Sequence, residues 1–170
     1  MNLFEQIIYL FILLFFTGLS VHAFYAFTGD TPTNYITADG EKITLDNNRS
    51  AIDPTYAQML DFLKHDNTSE KNYSSHFVCA DFAKDVHDNA ERAGYKCAFV
   101  FIEFNDDSDC HACNAFNTTD RGLIFIDCIS GDKIVTAAKD YQYTLSSAAF
   151  GDTVTEWQSL GIVSNIIPVW

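Results

Sequence analysis

The sequence predicts an α+β fold, with helices packed on an antiparallel β-sheet behind an N-terminal hydrophobic helix. Three observations predict it. An unbroken apolar or small run extends from Ile7 to Val21. Two stretches with helical period follow, around residues 54–66 and 78–93. From residue 96 onward the period becomes that of strands separated by turn-forming clusters.

A chain of 170 residues supports one domain with a substantial core. Apolar residues make up 48% and aromatics 15%, which excludes a disordered chain. The net charge of −13, with no Lys/Arg stripe to neutralise phosphates, excludes a nucleic-acid partner. The expected organisation is a signal peptide or membrane anchor over 1–27, a linker with a β-hairpin over 28–52, and an α+β domain over 53–170.

The first segment, "MNLFEQIIYLFILLFFTGLSVHAFYAF", fits a secretory signal peptide ending in the small-residue site "VHA". Read from Leu3 to Phe27, it also reaches the ~20 residues needed to cross a bilayer. Both readings place the domain outside the cytoplasm, secreted or held at the membrane by its N-terminal helix. Four Asn-x-Ser/Thr triplets, at Asn48, Asn67, Asn72 and Asn117, and five cysteines agree with export.

In "NYITADGEKITL", Asp39-Gly40 suits a two-residue turn between β-prone flanks. The next helix is expected at "DPTYAQMLDFLKHD", with Asp53 as N-cap, Pro54 at the first helical position, and Tyr56, Met59, Leu60 and Leu63 inward. The helix after it runs from about Val78 to Ala93. Cys79, Phe82, Ala83, Val86, Ala90 and Ala93 form its apolar stripe, and Gly94 ends it. Strands are expected at "KCAFVFIEF", "HACNAF" and "LIFIDC", then near Lys133–Ala137, Tyr141–Leu145 and "GIVSNIIPVW". Pro168 suits an edge or terminal position.

Cys79 therefore stands at a helix start facing a sheet. There, partial positive charge and unpaired N–H groups favour a thiolate and a developing oxyanion. Such a nucleophile needs a base and a group to orient it. His111 and Asp127 can supply both, because an odd-length loop near Thr118–Arg121 would place them side by side on one face of a hairpin. A one-residue slip would separate them. His76 and His87 are competitors, but His87 lies about 12 Å along the helix from Cys79.

Cys at the helix start in "FVCADFAKDVHDNAERAGY", then "HACNAF", then "IFIDC", resembles the transglutaminase-like cysteine-hydrolase superfamily. The resemblance covers roughly residues 54–130. It implies a helix packed on an antiparallel sheet, with Cys79 as nucleophile, His111 as base and acid, and Asp127 orienting His111. It further implies acyl transfer from an amide or peptide bond, a protein or peptide substrate, and no cofactor. Cys113 and Ala80 stand where the superfamily usually has aromatics.

Other readings of the sequence stand beside this one. "CHAC" (Cys110, His111, Cys113) reads as half of a zinc site, completed by Cys97 or Cys128. Without Cys79, the four remaining cysteines allow none, one or two disulfides, in any pairing. The acidic run "NDDSD" suits calcium or simply a solvated turn. Against catalysis stands a surface binding or assembly module of the same fold, with structural thiols.

Overall fold

The computed structural model describes residues 36–105, 110–129, 131–145 and 158–170. Contacts divide the chain into Met1–Asp30 and Thr31–Trp170, and every described residue belongs to the second unit. The N-terminal signal or anchor segment and most of "NDDSD" lie outside the described residues. Among the described residues no helix is long and apolar enough to cross a membrane.

Two α-helices come first: α1 (Tyr56–His65) and α2 (Cys79–Arg92), with a 3₁₀ turn at Thr68–Glu70 between them. Six strands follow: β1 (Ala98–Phe104), β2 (Cys110–Thr118), β3 (Gly122–Asp127), β4 (Lys133–Val135), β5 (Gln142–Leu145) and β6 (Gln158–Val169). They form one antiparallel sheet in the order β4-β3-β2-β1-β6-β5.

The fold class is the main correction. The expected α+β layering gives way to a mostly antiparallel β structure, nearly closed like a barrel, with two short helices. The sheet curls until its edge strands β4 and β5 touch. Its inner face is filled by its own side chains, among them Val100, Ile102, Phe104, Cys113, Tyr143 and Val163. Closure rather than a helical layer therefore dries that face.

The long strand β6 makes this closure. It pairs with β1 over Val163–Val169 and with β5 over Gln158–Ile162. Pro168 sits in the half of β6 that β5 does not reach, so its missing N–H interrupts no second ladder. Gly161, where β6 bends, has φ +142°, and an added Cβ would lie 3.0 Å from Phe104 Cγ. Gly161→Ala is expected to cost about 1–3 kcal/mol in urea unfolding through backbone strain and overpacking. Gly122→Ala, with φ +72° and open space around it, is expected to cost less.

The helices cover only the outer face. Phe82, Val86 and Ala90 of α2 pack with Met59 and Leu63 of α1 on Phe116 and Ile126. Ala80 and Ala83 pack on Phe99, Phe101 and Ala112, small residues allowing close approach. Asn114, buried mid-sheet, donates to the Ala83 carbonyl at 2.8 Å and ties α2 to β2. The α1 cap differs from the expected Asp53–Pro54 start. Thr55 is the N-cap and forms a reciprocal capping box with Gln58. Gly94, at φ +90°, ends α2 as expected.

The stretch before α1 is fastened along α2. A turn at Thr37–Glu41 brings Ile36 and Lys42 together. Asp88 accepts from the Asp46 N–H at 2.9 Å, and Glu91 accepts from those of Asn48 and Cys97, both at 3.0 Å. The Asp88 carboxyl is held down to about 2: burial would raise it, but hydrogen bonds from His87, Lys84 and the Asp46 N–H outweigh that.

Candidate active site

Helix α2 begins at Cys79 because Val78 leaves helical geometry, with φ −108° and ψ −178°. Asp81, in the first turn, accepts from the Val78 N–H at 2.9 Å and the Ala38 N–H at 3.2 Å. This fixes where the helix starts and lays the 36–42 turn beside it. Val78 has no polar side chain to cap the following N–H groups. Cys79 is half-buried against Ala80, Ala83, Phe101 and Ala112.

His111 is the second residue of β2, at the strand's tip, and is 5% exposed. Its Nε2 lies 2.6 Å from Asp127 Oδ2 at the end of β3. The β2–β3 turn has the expected odd length, since Thr118 pairs with Gly122 and encloses 119–121. The register nevertheless differs from side-by-side pairing. Asn114 opposes Ile126, so Cys113 faces Asp127 and His111 reaches it diagonally across the same face.

Cys79 lies beside the imidazole, close enough to influence its protonation. With Nε2 engaged by Asp127, Nδ1 is the ring nitrogen left for a second partner. Burial by itself would lower the His111 pKa. The Asp127 hydrogen bond and charge, joined by Cys79, overcome this and raise it to about 9. The structure thus brings Cys79, His111 and Asp127 into one connected line.

Tyr143, on β5, extends the line and was not singled out in the sequence. Its hydroxyl donates to Asp127 Oδ2 at 2.8 Å, and its ring lies 5.3 Å from that of His111. The Ile129 N–H, at 3.2 Å from Oδ1, also holds Asp127. Burial, with the neighbouring Cys113 and Asp127, pushes the Tyr143 hydroxyl strongly up, so it remains a donor. The only sequence signal for it was alternation, because Tyr143 stands between Gln142 and Thr144 in a short strand.

The competing histidines are placed elsewhere. His76 is exposed beside Asp39, and His87 is fully buried with Nδ1 3.0 Å from Asp88. The five cysteines, all among the described residues, form no disulfide. Burial pushes the Cys97, Cys113 and Cys128 thiols well up, and Cys97 and Cys128 both hydrogen-bond Asn114. Cys110 is exposed, on the opposite strand face from His111 and Cys113. Among the described residues no group of three or more His, Cys, Asp or Glu is arranged to hold a metal ion. A cavity of about 620 Å³, lined in part by Asp61, His65, Asp66, Asn89 and Tyr95, lies toward the C-terminal end of α2, away from Cys79.

No protein-family model matches the chain, and no curated protein and no solved structure matches it.

Proposed function

We propose that this chain is an extracytoplasmic cysteine hydrolase or acyltransferase of the transglutaminase-like kind, acting on an amide or peptide bond through a Cys79 thioester. The observation that carries this reading is the connected line from the half-buried Cys79 through His111 to Asp127. It is a nucleophile beside a base, with the base oriented by a third group. The export assignment rests on the N-terminal sequence.

In the proposed reaction the Cys79 thiolate attacks the carbonyl carbon, its proton having passed to His111. The S–C bond forms as the carbonyl π pair moves onto oxygen. The tetrahedral species collapses, the C–N bond breaks, and His111 Nδ1–H protonates the departing amine. Water or a second amine then attacks the thioester and gives its proton to His111, and Cys79 leaves as thiolate. Asp127 accepts from Nε2–H throughout, holding the ring and stabilising its charged form, and Tyr143 steadies Asp127.

The test is p-nitrophenyl acetate followed by peptide mapping. An acetyl group on Cys79 that turns over with water or an added amine is expected. Absence of acetylation at Cys79 would overturn acyl transfer and leave a surface binding module with structural thiols.

A further inference from the structure

We propose that the cavity at the far end of α2 from Cys79 binds a saccharide. Phe62 and Tyr95 take the C–H face of a pyranose ring, and Asp66 and Asn89 take its hydroxyls. The site stands apart from Cys79 and does not depend on its chemistry.

The cavity is about 620 Å³, within the roughly 300–1,000 Å³ of small-ligand sites. It lies among the last turns of α1 and α2, the 3₁₀ turn and Tyr95. Its aromatic wall is set by packing. The Phe62 ring leans on buried Phe116 at 6.1 Å between centroids and meets Tyr95 edge-to-face at 6.4 Å. Its polar wall is set by a relay of hydrogen bonds. Arg92 donates to Asn89 Oδ1 at 2.7 Å, which leaves the Asn89 amide nitrogen to donate to Asp66 Oδ1 at 2.7 Å and Thr68 Oγ1 at 3.3 Å. The Thr68 N–H holds Asp66 Oδ2 at 3.2 Å. The carboxylate is thus fixed before any ligand arrives, and its oxygens keep lone pairs for further donors.

This mixture selects the ligand class. Asp61 and Asp66 repel an anion, and the polar wall disfavours a lipid tail. A simple cation finds Asp66 already engaged by N–H donors and Asp61 3.7 Å from His65. A pyranose matches both walls, because its hydroxyls donate and accept while its C–H face is apolar. Asn67 is a second, independent observation. It lines the same cavity, is exposed, makes no capping bond with its side chain, and opens one of the four Asn-x-Ser/Thr triplets. A sugar carried on Asn67 starts at the cavity wall. The occupant is either the first sugars of that chain or a separate glycan, and the chemistry recognised is the same.

The experiment titrates N,N′-diacetylchitobiose, maltose and cellobiose into the ¹⁵N-labelled full chain, made in a host that adds no N-linked sugar and held in a sugar-free detergent. At least one disaccharide is expected to bind saturably, with a Kd of about 1 mM or tighter. Amide shifts should be confined to the cavity-lining stretches 61–68 and 89–95. Tyr95→Leu, which removes the ring, and Asp66→Ala, which removes the acceptor, should each weaken binding by about tenfold. The wild-type shift map decides the matter even where a variant fails to fold. No saturable binding, shifts centred elsewhere, or wild-type affinity in both variants would overturn the site. Binding of spermidine in place of the disaccharides would overturn the ligand class. Chain secreted from yeast separates the two sources. Free-disaccharide binding that is lost when Asn67 carries a glycan and restored in Asn67→Gln assigns the cavity to the protein's own sugar, and retained binding assigns it to a separate glycan.

Discussion

Replacing His111 with Ala is expected to slow acetylation of Cys79 by p-nitrophenyl acetate by about 10²–10⁴-fold, the range contributed by a positioned acid–base group. Without the imidazole the thiol has no base to take its proton and the leaving group no acid to protonate it. Because Asp127 is buried and accepts from His111 at 2.6 Å, Ala also strands a carboxylate. His111→Gln separates the two effects, since its amide can still donate to Asp127 but cannot carry a proton. Both variants should lose the reaction, and Gln should keep more of the stability. Peptide mapping identifies the modified thiol, which matters because Cys110 is also exposed. A rate unchanged in His111→Gln, or label on Cys110 alone, would remove His111 from the mechanism.

Asp127→Ala is expected to destabilise the fold by about 3–5 kcal/mol, the cost of breaking a buried ion pair at one partner. It leaves His111 buried without its acceptor and the Tyr143 hydroxyl without its own. Tyr143→Phe removes one hydrogen bond from Asp127 and should cost about 1–3 kcal/mol. The pH dependence has a definite sign. His111 is raised from 6.5 to about 9 in the folded protein. Its pairing therefore stabilises fully below about pH 6.5, and the contribution, at most about 3 kcal/mol, is lost as pH rises through about 9. Urea midpoints across that interval should fall in the wild type and change less in Asp127→Asn. A wild-type midpoint that is flat or rises over the interval would contradict the raised imidazole.

Much of the site was legible because its signals are local. Cys79 was placed at a helix start by the stripe through Phe82, Val86 and Ala90 and by Gly94 at the far end. That helix is observed as Cys79–Arg92. The even separation of His111 from Asp127, with an odd-length turn, put both on one face whatever the exact register. Parity is a property of the pleat, but opposition is not. The diagonal contact depended on closing the turn at Thr118 and Gly122, one step beyond what composition specifies. The α1 cap was misplaced for a similar reason. Asp53-Pro54 and Thr55-x-x-Gln58 are both acceptable starts, and the reciprocal Thr55–Gln58 bonds decided between them.

What the sequence by itself determined is therefore the order of elements, the helix that carries Cys79, and the residue types that can act with it. Tertiary structure alone decided the fold class and the reach of Tyr143 to Asp127. Each of these depends on segments brought together from far apart in the chain. The 12-residue β6 binds β1 on one side and β5 on the other, which curls the sheet and carries Tyr143 into its interior. Helical period, caps and turn parity act over a few residues and can be read along the chain. Sheet closure depends on which distant edges pair, and that is settled only when the inner face is packed.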